Sequence, residues 1–253
     1  AARGMEDFRM RAILLASLAL AAGPCRGGGE CAPVSDPGFE NTIGANIFGP
    51  GNTIGGAWVV LSGTVEVVPT WQWVPAEGDN SLDLCGNEAG AVRQVIPTEA
   101  GLRYTLRFAL AGNKGGAHDE SNPAIKIVHV AIGDQSAEFA YDVTGSTPDS
   151  LQWVYRTLPF TPSGDSAALV FTSLTPGFYG PAIDDVSVCL AFCPGDVNGD
   201  NAVNFIDLNA IVSVYNAKAG DVLYIPSLDL DSDGIIGFAD LNIVLSNFNA
   251  PCP

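Results

Sequence analysis

The residues best suited to chemistry in this sequence lie near its end. Asp196, Asn198, Asp200, Asn204 and Asp207 recur as Asp229, Asp231, Asp233, Gly237 and Asp240, displaced by 33 positions. A near-copy of one apolar segment follows each set, at residues 208–213 and 241–246. Repetition at a fixed period rarely arises by chance. A calcium ion takes roughly six to eight oxygens, and a loop offering them at positions 1, 3, 5, 7, 9 and 12 wraps it. In the first loop these are Asp196, Asn198, Asp200, the Ala202 carbonyl, Asn204 or a water beyond it, and Asp207. In the second they are Asp229, Asp231, Asp233, the Ile235 carbonyl, a water near Gly237, and Asp240. The sixth position needs a positive φ, which Gly234 supplies and Asn201 tolerates. Apolar Val203 and Ile236, at the eighth, suit pairing of the two loops.

The elements that must hold these loops are short helices. Leu208, Ile211, Val212 and Tyr215 fall at helical spacing after the first loop, and Leu241, Val244, Leu245 and Phe248 after the second. Cys193 and Cys252 bracket the module and are placed to clasp its ends. From Cys193 onward Lys218 is the only basic residue against eight aspartates. The segment 193–253 resembles a type I dockerin, with paired loop–helix repeats, no entering helix, and Asp at position 12 where an ordinary EF-hand has Glu. That resemblance implies an EF-hand-like dockerin domain, two structural Ca2+ ions, and attachment to a cohesin-like or other surface protein. The chain departs from the clostridial pattern at loop positions 10 and 11. Phe205-Ile206 and Phe238-Ala239 stand where Ser/Thr would be, which leaves the calcium ligands intact but weighs against a cellulosome-type cohesin.

Upstream, residues 31–191 read as strands. The run from Leu102 to Leu110 alternates apolar with polar, as a half-buried strand does. Similar runs cover 57–61, 65–68, 81–84, 125–132, 137–143, 151–160, 167–171 and 183–190, separated by Gly, Pro, Asn and Asp clusters. Eight to ten strands in a chain with 29 Gly and 17 Pro give a mainly β fold, a two-sheet sandwich of jelly-roll type. Asp36-Pro37-Gly38-Phe39-Glu40, the Trp58–Glu66 stretch, Gly78–Leu84, Gln94, Tyr104–Gly112, Trp153 and Ile183-Asp184-Asp185-Val186-Ser187 resemble, in order, the galactose-binding-like sandwich of choice-of-anchor proteins and a plant cell-wall family. The resemblance implies sugar or cell-wall polysaccharide as ligand. It also implies a structural Ca2+ between the terminal strands, held by Glu40 and Asp185.

Trp71 and Trp73 lie between Pro69 and Pro75 on an expected loop, and Tyr179 precedes the last strand. Aromatic faces of this kind suit the C–H surface of a sugar. Trp58 and Trp153, inside strand patterns, are expected in the core. No Gly-x-Ser-x-Gly, His-Glu-x-x-His or Rossmann signature occurs, so no catalytic residue is assigned. Glu66 with Glu77 or Asp83 is one conceivable glycosidase pair, and nothing in the sequence favours it. The net charge of −17 excludes the counterion-release binding that nucleic acids require. Arg9 and Arg11 before the apolar run 12–22, with Ala19-Leu20-Ala21, read as a signal peptide over residues 1–22, too short to span a membrane. Export makes disulfides available, and Cys31 is expected to pair with Cys189 or with Cys85.

The sequence therefore describes a secreted or cell-surface, non-enzymatic, carbohydrate-binding sandwich joined to a calcium-stabilised connector. Its rivals are a structural assembly protein that binds no sugar and a small polysaccharide hydrolase. Adding calcium to residues 193–253 is expected to raise their helical far-UV circular dichroism, because a cation relieves repulsion among the aspartates. An unchanged spectrum would count against the loop assignment.

Overall fold

The computed structural model describes residues 31–250, apart from 117, 192, 199 and 201. The expected signal peptide, Cys252 and the sixth loop position Asn201 lie outside the described residues. Thirteen described strands build two antiparallel sheets. They are β1 (Cys31–Ala32), β2 (Asn46–Phe48), β3 (Thr53–Ile54), β4 (Trp58–Ser62), β5 (Val65–Pro69), β6 (Asn80–Asp83), β7 (Ala91–Pro97), β8 (Tyr104–Gly112), β9 (Ile125–Ile132), β10 (Gln135–Asp142), β11 (Val154–Phe160), β12 (Ser166–Ser173) and β13 (Pro181–Leu190). One sheet runs β11-β8-β13-β6-β5-β2, with β1 also on β13; the other runs β10-β9-β12-β7-β4-β3. From β6 onward the chain passes repeatedly from one sheet to the other. This crossing gives the two-sheet sandwich expected from the strand spacing. Strands β1, β2, β3 and β7 had no sequence expectation. The first three have two or three residues, too few for an alternation to register.

Alternation decides the core. Along β8, Tyr104, Leu106, Phe108 and Leu110 are buried, and along β9, Val128, Val130 and Ile132 meet them from the other sheet. Phe39, Trp58, Phe171 and Phe108 form a chain of rings with centroids 5.1–6.0 Å apart. Trp58 is fully buried and satisfies its indole N–H on the Asp36 carbonyl at 2.9 Å. Trp153 is only partly buried, packing against the core while its indole donates to the Val74 carbonyl. Gln94 of β7 clamps Ser35 through two hydrogen bonds of 2.7 and 2.8 Å. These contacts hold the turn at residues 35–40 although Asp36 and Phe39 have positive φ, a strained state for residues other than glycine. Of the two pairings left open for Cys31, the structure forms Cys31–Cys189, while Cys85 stays a buried free thiol. The bridge closes a separation of 158 residues, which in the chain-entropy picture is worth about 5 kcal/mol.

At one end of the sandwich the core turns polar. Asp83, at the end of β6, is fully buried and accepts from the amides of Cys85 and Gly180 and from Asn113 Nδ2. Burial pushes its carboxyl up to about 7 against the pull of those donors. Lys126, inward-facing on β9 and also without exposed surface, donates to Asn122 Oδ1 at 2.7 Å. Burial lowers its ammonium while Asp83 favours the charge.

After the sandwich come helix α1 (Phe205–Ser213), a 3-10 turn (Pro226–Leu228) and helix α2 (Phe238–Ser246). Their shared core is small: Val203, Ile211, Val214, Ala217, Leu228, Ile236 and Val244. No helix among the described residues is long and apolar enough to cross a membrane. The folded chain keeps the Asp83 proton through a range where the unfolded chain, near 3.8, has lost it. This group's contribution therefore falls as pH rises from 3.8 to about 7. In EGTA, urea midpoints at pH 5 and pH 8 are expected to show that loss, and Asp83→Asn to reduce the slope.

Candidate functional site

The duplicated loops fold with duplicated hydrogen bonds. Asp207 Oδ1 accepts from the amides of Val197 and Asn198, and its Oδ2 from Asn204. Thirty-three residues on, Asp240 accepts in the same way from Leu230, Asp231 and Gly237. Asp200 N donates to Asp196 Oδ1 and Asn198 Oδ1, as Asp233 N does to Asp229 Oδ1 and Asp231 Oδ1. Ala202 N and Ile235 N donate to Asp200 Oδ1 and Asp233 Oδ1. Each loop ends by capping the helix that follows it: Asn204 Oδ1 accepts from Ile206 N at 2.8 Å, while Gly237 contributes its amide alone.

These bonds turn the acidic side chains inward. One ligand atom from each of Asp196, Asp200 and Asp207 lies within 4.8 Å of the others, and the same holds for Asp229, Asp231 and Asp233. The donors are all oxygen, and each loop concentrates negative charge, the chemistry that suits a hard divalent cation. Asp231 is pushed up by desolvation and by the charges of Asp233, Asp240 and Asp229. Gly234 takes the positive φ of 86° expected at the sixth position.

Pairing through Val203 and Ile236 takes a different form from the one expected. Both side chains are buried in one core. However, the Val203 carbonyl accepts from Asn249 N, after α2, and the Ile236 carbonyl accepts from Asn216 N, after α1. Each loop is therefore closed by the segment leaving the other repeat's helix. Cys193 is disulfide-bonded, and its expected partner Cys252 lies outside the described residues. Phe205 and Phe238, at loop position 10, are both exposed, and Phe205 meets Phe248 edge-on at 5.0 Å.

In the sandwich the expected pairing of Glu40 with Asp185 needs correcting. A methyl carbon on Gly38 would lie 3.0 Å from Glu77 Oε2 and 3.5 Å from both Glu40 Oε1 and Asp184 Oδ1. It is Asp184, not Asp185, that joins Glu40. The register shifts between Asp184 and Ser187, and Asp185 has a positive φ, so adjacent aspartates diverge. Asp185 bonds Arg107 at 3.1 Å and the Tyr155 hydroxyl at 2.8 Å, with the guanidinium 3.4 Å from the Tyr155 ring centroid. Asp184 accepts from the amides of Ala76, Glu77 and Asp185, yet burial still raises its carboxyl to about 8. Glu77 is raised by desolvation and by Glu40 and Asp185. Sequence reasoning named Glu77 only as a possible partner of Glu66 and missed Arg107 and Tyr155, because only the fold brings these strands and loops together.

The aromatic platform also changes. Trp71 is 72% exposed, but Trp73 is 7% exposed and spends its indole N–H on Ser81 Oγ at 2.7 Å. Trp73 is thus a core residue and offers no face to a ligand. Tyr179 packs against Gly115 beside exposed Phe178. Pro69, two residues before Trp71, pairs with Asn80, whereas Gly180, next to Tyr179, bonds Asp83. Trp71 and Tyr179 therefore lie toward opposite ends of β6. Asp83 is buried behind its three donors, so it cannot serve with Glu66 as an accessible carboxylate pair.

Residues 35–189 match the family described as "Protein of unknown function (DUF642)". The chain belongs to this DUF642 family. Over 142 residues, 55% of this chain, it is 33% identical to halomucin of Haloquadratum walsbyi (strain DSM 16790 / HBSQ001), and it spans 1% of that protein's length. Among solved structures, TmCBM61 in complex with β-1,4-galactotriose is similar at a TM-score of 0.37 and 15% identity, covering 61% of this chain and 95% of that one. A family 35 carbohydrate-binding module from Clostridium thermocellum gives 0.37 and 13%, covering 58% and 98%. The cleaved adhesin domain K1 of Lys-gingipain from Porphyromonas gingivalis W83 gives 0.41 and 11%, covering 58% and 98%. The fold assignment of this DUF642 chain rests on its own strand order.

Trp73→Ala is expected to cost about 3–5 kcal/mol in denaturant unfolding of the sandwich. Trp71→Ala is expected to stay within about 0.5 kcal/mol of the parent. Equal effects would contradict the burial assigned to the two rings.

Proposed function

We propose that this DUF642 protein is exported and non-catalytic, with a carbohydrate- or surface-binding sandwich and a dockerin-like module that attaches it to another protein. The observation that carries the reading is the duplicated loop, whose side-chain oxygens converge twice under matching hydrogen bonds. Two Ca2+ ions fit this module, one on Asp196, Asn198, Asp200, Asp207 and the Ala202 carbonyl, with Asn204 at the ninth position. The other is held by Asp229, Asp231, Asp233, Asp240 and the Ile235 carbonyl. Bound calcium would neutralise crowded carboxylates and so stabilise the folded form. At the sandwich turn, Glu40, Glu77 and Asp184 all face the Gly38 position, and the carboxyls of Glu77 and Asp184 are raised chiefly by burial.

The attachment surface is apolar rather than hydroxyl-bearing, since Phe205 and Phe238 stand exposed at equivalent points of the repeat. A cohesin-like or other surface partner is read as offering complementary apolar side chains there. Polysaccharide is the proposed ligand of the sandwich, supported by exposed Trp71 and by the planar polar group of Arg107, Tyr155 and Asp185. The Cys31–Cys189 bridge is in keeping with an oxidising, extracellular setting. One observation favours a second reading, in which the sandwich is a spacer: Trp73 is buried, and Trp71 and Tyr179 do not share a face.

Calorimetry on the full chain is expected to find at least two equivalents of calcium, and fewer would end the attachment reading. A glycan array is expected to return a polysaccharide whose binding Trp71→Ala weakens. No ligand on the array would decide for the spacer.

A further inference from the structure

The two loops are not equivalent, and one difference is a hydroxyl group at the second. The Tyr224 hydroxyl donates to Asp229 Oδ2 at 2.6 Å, and Gly234 N donates to the same oxygen at 2.9 Å. Asp229 Oδ1 accepts from Asp233 N, and one oxygen of Asp229 lies within 4.8 Å of one from each of Asp231 and Asp233. Asp229 is thereby held by both oxygens. Tyr224 is itself fixed locally. Its amide donates to Asp221 O, its ring packs against the small core of the module, and the 3-10 turn Pro226–Leu228 carries the chain directly into Asp229. In the first repeat the residue 33 positions earlier is Ala191, which has no hydroxyl to donate.

We propose that Tyr224 is a positioning residue for the second loop alone, orienting Asp229 for a divalent cation and making that loop the tighter of the two. The inference rests on the calcium reading of the module and adds an order of filling to it. A hydrogen-bond donor behind a metal-ligating carboxylate fixes the rotamer before the ion arrives, and loss of such a partner commonly weakens metal affinity about tenfold or more. The second loop also offers four carboxylates, Asp229, Asp231, Asp233 and Asp240, where the first offers three and two asparagines. Charge count thus favours the same loop that Tyr224 touches.

Calcium calorimetry of the full chain and of Tyr224→Phe tests the inference. Phenylalanine keeps the ring in the core and removes only the hydroxyl, and circular dichroism without calcium checks that the fold persists. Further variants assign the loops: Asp200→Ala disables the first and Asp233→Ala the second. In the Asp200→Ala chain, Tyr224→Phe is expected to weaken the second loop's ion about tenfold. In the Asp233→Ala chain the same change is expected to leave the first loop's ion unaltered. Equal weakening in both backgrounds, or none in either, overturns the proposal, because a purely structural tyrosine would not discriminate between loops. If the parent chain took up no calcium, the calcium reading would fall and this inference with it. Normal uptake by the parent with an unaffected Tyr224→Phe would overturn the positioning role alone.

Discussion

Negative charge that must be held inside a folded chain is the constraint on which this protein is built. The sequence carries 28 acidic residues and 11 Lys and Arg, so most carboxylates have no cationic side chain to meet. Those that enter the interior are held by backbone N–H groups instead. Asp83 takes two amides, Asp184 three, and Asp207 and Asp240 three each. An amide donor supplies only a fraction of a counter-charge, and desolvation still dominates at Asp83 and Asp184. The same reliance on backbone donors links the sandwich turn at Gly38, where Glu40 and Asp184 accept from amides, to the loops of the C-terminal module.

The two parts bear that burden differently. The sandwich has an extensive core in which the rings of Phe39, Trp58, Phe171 and Phe108 join its two sheets, and the turn that carries Glu40 is pinned to this core by Trp58 and Gln94. It can carry a few unrelieved carboxyls because hydrophobic burial far outweighs them. The C-terminal module buries only a handful of apolar side chains, and small cores rarely suffice without a staple. Its repeats close one another through Asn216 to Ile236 and Asn249 to Val203, so the folding of either loop depends on both. For such a module, packing the core and closing the loops are one process.

This division bears on the roles proposed for the two parts, a binding sandwich and a metal-stabilised connector. The exposed phenylalanines at matching points of the repeat are carried by helices whose starts are capped by the same loops that gather charge. The proposed attachment surface and the proposed metal loops are therefore mechanically continuous, with ligand position 12 two residues after the exposed ring in each repeat.

Periodicity and spacing were enough to read the sandwich class, the long strands other than β7, the two loop–helix repeats and the carboxylates that converge in them, because these depend on residues near one another in the chain. The pairings that span the molecule were not available to such reasoning. Alternation cannot say that a register shift turns Asp184 toward Glu40 and Asp185 toward Arg107, since the two aspartates are neighbours in one strand. Nor can it say that Trp71 faces water while Trp73, two residues on, reaches Ser81 in the core, because the path of an irregular loop is set by what it packs on. The reciprocal closure of the repeats and the bond from Tyr224 to Asp229 belong to the same class of fact. Local chemistry is written in the order of residues; which side chains share a space was decided by packing, which alone brings distant segments into contact.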